Sequence, residues 1–162
     1  ESAPYVGLVA PRLQLPDGAT QPSCMRFPGF FDHPMYRTGL HRRYRWARAR
    51  VERLHMADID HTATRPVDWV TGAAMFVRGH ALRAAGYFDE RYFLYCEDCD
   101  LCRSCWATAW PVYYKGDIVV QHGHARSSAT VPGLKSILVN PLTRVHIRSL
   151  VQYTTKWWGT RV

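Results

Sequence analysis

The sequence predicts an α/β domain, and three observations carry that expectation. Short apolar segments with strand character alternate along the chain with segments of helical character. Hydrophobic residues make up 47% of the 162 positions and charged residues 21%, the balance of a chain that folds around a core. No apolar run approaches the roughly 18–20 residues needed to span a bilayer, so the apolar content is expected to go into one packed domain.

The elements follow in order. "PYVGLVAPRLQL" (4–15) has strand character and is closed by the turn "PDG" (16–18). Residues 29–56 turn basic and aromatic, helical or loosely structured, with seven arginines between Arg37 and Arg53. Residues 65–93 predict a strand, a small-residue turn, a second strand and a short helix stopped by Gly86. Residues 97–108 contain neither Gly nor Pro and begin with Glu97, Asp98 and Asp100, acids suited to the positive end of a helix dipole, so a helix is predicted there. "PVYYKGDIVVQHGH" (111–124) predicts two short strands around Lys115 and Gly116, and 131–162 is mostly helical with an interruption near Pro141.

The formal charge of +8 and the isoelectric point near 9.5 favour an anionic partner: nucleic acid, a nucleotide or diphosphate ligand, or an acidic membrane surface. Neither an initiator Met nor a signal-peptide pattern stands at the start, and the chain opens into a strand as if cut from something longer. Four of the five cysteines fall within residues 96–105, too close together for a disulfide framework, so a reducing, cytoplasmic setting is expected.

Those four, Cys96, Cys99, Cys102 and Cys105, raise the alternative of a metal or Fe–S module. A helix turns by about 100° per residue, so each step of three falls about 60° short of a turn. Across the run the thiols drift by about 180° and cannot converge on one ion. Ferredoxin-type loops end in a different spacing, and no second C-x-x-C lies elsewhere for a zinc ribbon. Packing is therefore the expected role of the sulfurs.

The ordered set "WVTGAAMFVRGHAL…GYFDERYFLYCEDCDLC…AWPVYYKGDIVVQHGHARSS" resembles the C-terminal half of family 2 inverting glycosyltransferases of GT-A fold, in the bacterial rhamnosyltransferase- and galactofuranosyltransferase-like branch. The residues carrying it are Trp69, Gly72, Ala73, the run Gly86 to Glu90, Phe93, Glu97-Asp98-Cys99-Asp100-Leu101, His122 and Ser127. The family's arginine after the E-D-x-D-L element has Ser104 in its place, with Arg103 one position earlier. The resemblance implies a partial GT-A fold, a mixed sheet flanked by helices, with the N-terminal nucleotide-binding half missing. Residues 1–130 would form the acceptor-side catalytic half and 131–162 a C-terminal helical extension.

By that resemblance Asp98 is the general base for the acceptor hydroxyl, and Glu97 orients the acceptor or supports Asp98. His122 would be a ligand to a divalent metal, Mn or Mg, that neutralises the departing nucleotide diphosphate. Gly72 and Ala73 would let backbone approach a sugar closely, Asp68 and Trp69 would line the acceptor pocket, and Arg148 and Lys156 would contact diphosphate. The implied partners are a nucleotide-sugar donor and a glycan or polyprenyl-diphosphate-linked acceptor, with peripheral contact at the inner face of the membrane and no nucleic acid. Self-association of a chain lacking its donor half is also expected. Asp58-x-Asp60 formally matches a metal motif but follows a basic helical stretch, and a solvated loop is the better expectation. The rival readings are the cysteine-based metal or Fe–S module and a basic nucleic-acid-binding domain, the latter because Tyr44 and Trp46 interleave with arginines.

Overall fold

A computed structural model describes residues 5–29, 31–32, 39–123 and 140–160. His124 and Ser127 lie outside these residues. The architecture is mixed α/β, a mixed sheet flanked by helices, consistent with a partial GT-A fold. Its spine is β1 (Leu8–Gln14), a strand whose alternating burial puts Leu8, Ala10 and Leu13 into the core. Two antiparallel neighbours share one edge of β1: β2 (Thr20–Gln21) at its end and, further along the chain, a strand at Phe76–Val77 at its start. A two-stranded sheet, β3 (Cys24–Met25) with a strand at Trp69–Val70, stands beside the main one.

The basic stretch forms two helices, α1 (Leu40–Arg43) and α2 (Arg45–Leu54), divided where Tyr44 takes an extended conformation. Ala47, Val51 and Leu54 are spaced at helical intervals and bury one stripe of α2, leaving its arginines outside. After β4 (Thr64–Pro66) and β5 (Trp69–Val70), a turn leads to β6 (Phe76–Val77) and α3 (Gly79–Ala84). The predicted stop at Gly86 is a Schellman ending: Gly86, at φ 84°, donates to Arg83 O and Tyr87 donates to Leu82 O.

Helix α4 (Glu97–Ala107) packs against β5 and against β7 (Val112–Gln121), which pairs parallel with β1 and antiparallel with β4. The two strands expected around Lys115 and Gly116 are one strand with a bulge. Register with β1 jumps from Pro11–Lys115 to Arg12–Val119, and 116–118 loop out. Glycine is required at the jump, because a Cβ on Gly116 would lie 2.5 Å from His61 O and 2.7 Å from Ala63 O. The interruption expected near Pro141 is a helix start. Asn140 caps α5 (Pro141–Lys156) by accepting the Leu142 N–H at 2.9 Å, and proline occupies the first turn, where its missing N–H costs nothing.

The cysteines pack rather than converge. All five are free and buried. Cys99 hydrogen-bonds with Tyr153 of α5 while Cys102 bonds backbone at Val70 of β5, so neighbouring thiols address different elements. Burial pushes Cys96 up to about 12 and Cys105 up to about 11, which keeps these thiols protonated at neutral pH.

Candidate active site

A small cleft of about 160 Å3 opens at the N-terminus of α4, lined by Pro28, Trp69, Tyr95, Cys96, Glu97, Asp98, Cys99 and His146. It is smaller than the roughly 300–1,000 Å3 typical of ligand pockets. The floor comes from β5, where Trp69 is buried and its indole N–H donates to Arg26 O at 3.0 Å. The approach to α4 is strained. Tyr95 and Cys96 both sit in the left-handed region, at φ 68° and 67°, a conformation that costs non-glycine residues about 1–3 kcal/mol each. That double bend swings the first turn of α4 toward the β5–β6 turn and brings the Tyr95 ring over His146 of α5, with centroids 4.4 Å apart.

Asp98 is the second residue of α4, and two backbone N–H groups fix its carboxylate. Oδ2 accepts from Gly72 at 2.9 Å and Oδ1 from Cys99 at 2.8 Å. Burial, followed by the adjacent Glu97 carboxylate, pushes its pKa up to about 6, against the lowering effect of those hydrogen bonds. Desolvation outweighs the dipole at this helix start, so Asp98 is more basic than an ordinary carboxylate while still ionised at neutral pH. Glu97 Oε2 is enclosed and has no hydrogen-bond partner among the described residues.

Of the residues predicted for the site, Asp98, Glu97 and Trp69 line the cleft, and Gly72 reaches it through its bond to Asp98. Ala73 is exposed in the same β5–β6 turn. Asp68 accepts the Phe27 N–H at 2.8 Å and so fixes the strand leading to Pro28. His122 is not in the cleft: at the end of β7 its Nδ1 lies 2.9 Å from Gln21 Oε1 and its N–H donates to Gln14 O. Arg148 is exposed on α5.

Lys156 is turned inward. Its Nζ donates to Asp100 Oδ2 at 2.7 Å and to Asp89 Oδ2 at 3.0 Å, and Trp157 Nε1 donates to Asp100 Oδ1 at 2.7 Å. Asp100 is 2% exposed, so Lys156 supplies its buried counter-charge and docks α5 on α4. Arg103 adds to that seam by stacking among Phe27, Tyr153 and Trp157 and donating to Tyr153 Oη at 3.0 Å. Asp58 is held by Arg26 in a two-pronged ion pair and Asp60 accepts from Thr62, so both carboxylates of the Asp-x-Asp pair are already engaged.

The sequence model described as "Glycosyl transferase family group 2" matches residues 29–158. The chain belongs to this family. Among curated proteins, the chain is 34% identical over 137 residues to N-acetylglucosaminyl-diphospho-decaprenol L-rhamnosyltransferase of Mycobacterium tuberculosis, in both strain CDC 1551 / Oshkosh and strain ATCC 25618 / H37Rv. The alignment covers 80% of this chain and 41% of each relative. The chain therefore spans less than half the length of the relatives it matches. No solved structure matches it.

The site also contains residues that sequence reasoning missed. Pro28, Tyr95 and His146 line the cleft, yet only Tyr95 adjoins the acidic motif. The signal for His146 is indirect: Asn140-Pro141 marks a helix start, which puts His146 on the second turn of α5.

Proposed function

We propose that this chain forms the acceptor-side part of an inverting glycosyltransferase. It would act on a nucleotide-diphosphate sugar, a deoxyhexose or hexose donor, and on a glycan or polyprenyl-diphosphate-linked acceptor. Membership of the family supports glycosyl transfer, and the relatives' name, which specifies a rhamnosyl group and a decaprenol-linked acceptor, supports that donor and acceptor class. The observation that carries the reading is the Asp98 carboxylate, fixed at the cleft with a pKa raised to about 6.

A base of that strength is matched to neutral pH: ionised, but more basic than an ordinary carboxylate. In the proposed step Asp98 takes the proton of the acceptor hydroxyl as its oxygen bonds the donor's anomeric carbon. The bond from that carbon to the diphosphate oxygen breaks on the opposite face, and the nucleoside diphosphate leaves with the electron pair. Gly72 and Cys99 N–H hold the carboxylate orientation. Each carboxylate oxygen has a second lone pair to receive the hydroxyl proton. Glu97, which lines the same cleft, would orient the acceptor or support Asp98.

The divalent ion implied by the family would take His122 as one ligand. Among the described residues no three His, Cys, Asp or Glu side chains come together to hold a metal, so the described residues by themselves do not supply a complete site for it. The division at residue 130 and a cytoplasmic site of action at the inner face of a membrane belong to the same proposal. The test is transfer by the complete enzyme carrying Asp98→Asn, with loss of turnover expected. Near-native turnover would remove Asp98 as base.

A further inference from the structure

The face of α1 and α2 that points away from the core carries six arginines, Arg42, Arg43, Arg45, Arg48, Arg50 and Arg53, against the single acid Glu52. Only Arg50 is paired with a carboxylate, Asp32, among the described residues. Arg45 and Arg48 are one helical turn apart, an arrangement that repels unless an anion lies over it. In their midst Trp46 is 61% exposed and Tyr44 45% exposed, their rings stacked at 6.2 Å and the Arg43 guanidinium 5.7 Å from the Tyr44 ring. A folded chain that buries Ala47, Val51 and Leu54 on one side of this helix leaves its tryptophan on the other. Exposed tryptophan and tyrosine among arginines is the composition that settles at a bilayer interface, with rings at headgroup depth and guanidinium groups on phosphates.

The position of this face gives it a consequence. Arg26 N–H donates to Leu54 O and its guanidinium to Arg53 O, while Arg26 O receives the Trp69 indole. Asp32, held by Arg50, accepts the Gly29 N–H next to Pro28. The α1–α2 segment is thereby fastened through Arg26, Gly29 and Asp32 to the wall of the Asp98 cleft.

We propose that the α1–α2 face is a docking surface for an anionic phospholipid bilayer, holding the cleft beside the membrane. The proposal rests on the transferase reading only for its purpose, because binding to plain phospholipid involves no sugar. Arginine remains charged throughout the accessible range, so the contact is set by salt and lipid charge rather than by pH.

The experiment is co-sedimentation of the full chain with vesicles of phosphatidylcholine alone or mixed equally with phosphatidylglycerol. Binding is expected to be at least about tenfold tighter to the anionic vesicles and to weaken steeply as salt rises above about 0.1 M. Arg42→Glu combined with Arg45→Glu and Arg48→Glu should abolish it, and Trp46→Ala should weaken it several-fold, with circular dichroism unchanged; Asp98→Asn should bind as the native chain does. Equal binding to both vesicle types, or salt-insensitive binding, would overturn the proposal even if the triple variant did not fold. So would an oligonucleotide that outcompetes anionic vesicles for the native chain, which would make this a nucleic-acid surface. Loss of transfer in Asp98→Asn with native vesicle binding separates the two readings.

Discussion

Asp98 Oδ2 and the Gly72 N–H, 2.9 Å apart, join the first turn of α4 to the β5–β6 turn. A side chain at residue 72 would meet Asp98 Cβ at 3.5 Å, so the turn lies directly against the carboxylate. The Asp98 oxygens thus have a fixed direction before any substrate arrives. Substituting Asp98→Asn keeps the shape of the side chain and one acceptor oxygen while removing the base. In the complete enzyme kcat is expected to fall by about 10²–10⁴-fold with little change in acceptor KM, measured as nucleoside diphosphate release.

The same carboxylate sets a pH profile. With Asp98 raised to about 6, kcat/KM for transfer is expected to rise with pH through about 6 and then level off as the base becomes fully ionised. Stability runs the other way. The ordinary value is 3.8, so between roughly pH 4 and 6 the folded state holds a proton that the unfolded chain has released. Folding stability contributed by this group is complete below pH 4 and is lost as pH rises to 6. Urea unfolding of native protein and Asp98→Asn should show the native chain losing ground to the variant over that interval. A difference independent of pH would contradict it.

How much of this was legible beforehand depends on how local each cause is. The α4 helix, the Gly86 stop and the strand character of β1 rest on neighbouring residues, and the sequence predicts them. The αL bend at Tyr95 and Cys96 is imposed by packing on two residues with no glycine to announce it. Asp98 shows the same division: its place at a helix start is local and predictable, but its raised pKa comes from enclosure by β5 and α5, which no neighbour in the chain reveals. Lys156 looks like a phosphate contact because its partners, Asp89 and Asp100, are brought to it only by the docking of α5. Family resemblance supplied the acidic motif and His122; the cleft wall formed by His146 came only from the fold.

The Asp100–Lys156 pair is expected to act on stability. Asp100→Ala leaves the Trp157 indole without its acceptor and Lys156 with Asp89 alone, and the loss should be about 1–3 kcal/mol in urea unfolding. Replacing both members with apolar residues of similar volume, Asp100→Leu with Lys156→Met, should recover a large part of that loss. A double variant as unstable as Asp100→Ala alone would mean that the ion pair is not the source.

The thiols of the run from Cys96 to Cys105 should behave as packing groups. Desolvation first, then the nearby carboxylates, raises Cys96 to about 12, and burial raises Cys105 to about 11, so little thiolate exists at neutral pH. A disulfide reagent added to native protein is expected to react slowly, at a rate tracking unfolding, and to find five thiols once urea is present. Rapid modification of several thiols in the folded chain would show α4 to be open.

Gly116 offers the sharpest test of the β7 bulge. The three atoms that an added Cβ would meet, at 2.5–2.7 Å, all belong to the backbone of His61, Thr62 and Ala63, and none can rotate aside as a side-chain tip would. Gly116→Ala must therefore push the 61–63 loop off the strand or break the Thr64–Lys115 pairing next to it. Overpacking of this kind costs about 1–3 kcal/mol. Gly123 has nothing within 4 Å of the same added atom, so Gly123→Ala serves as the control and is expected to unfold at the native urea midpoint. Equal midpoints for the two variants would mean that the loop does not press on the bulge in solution.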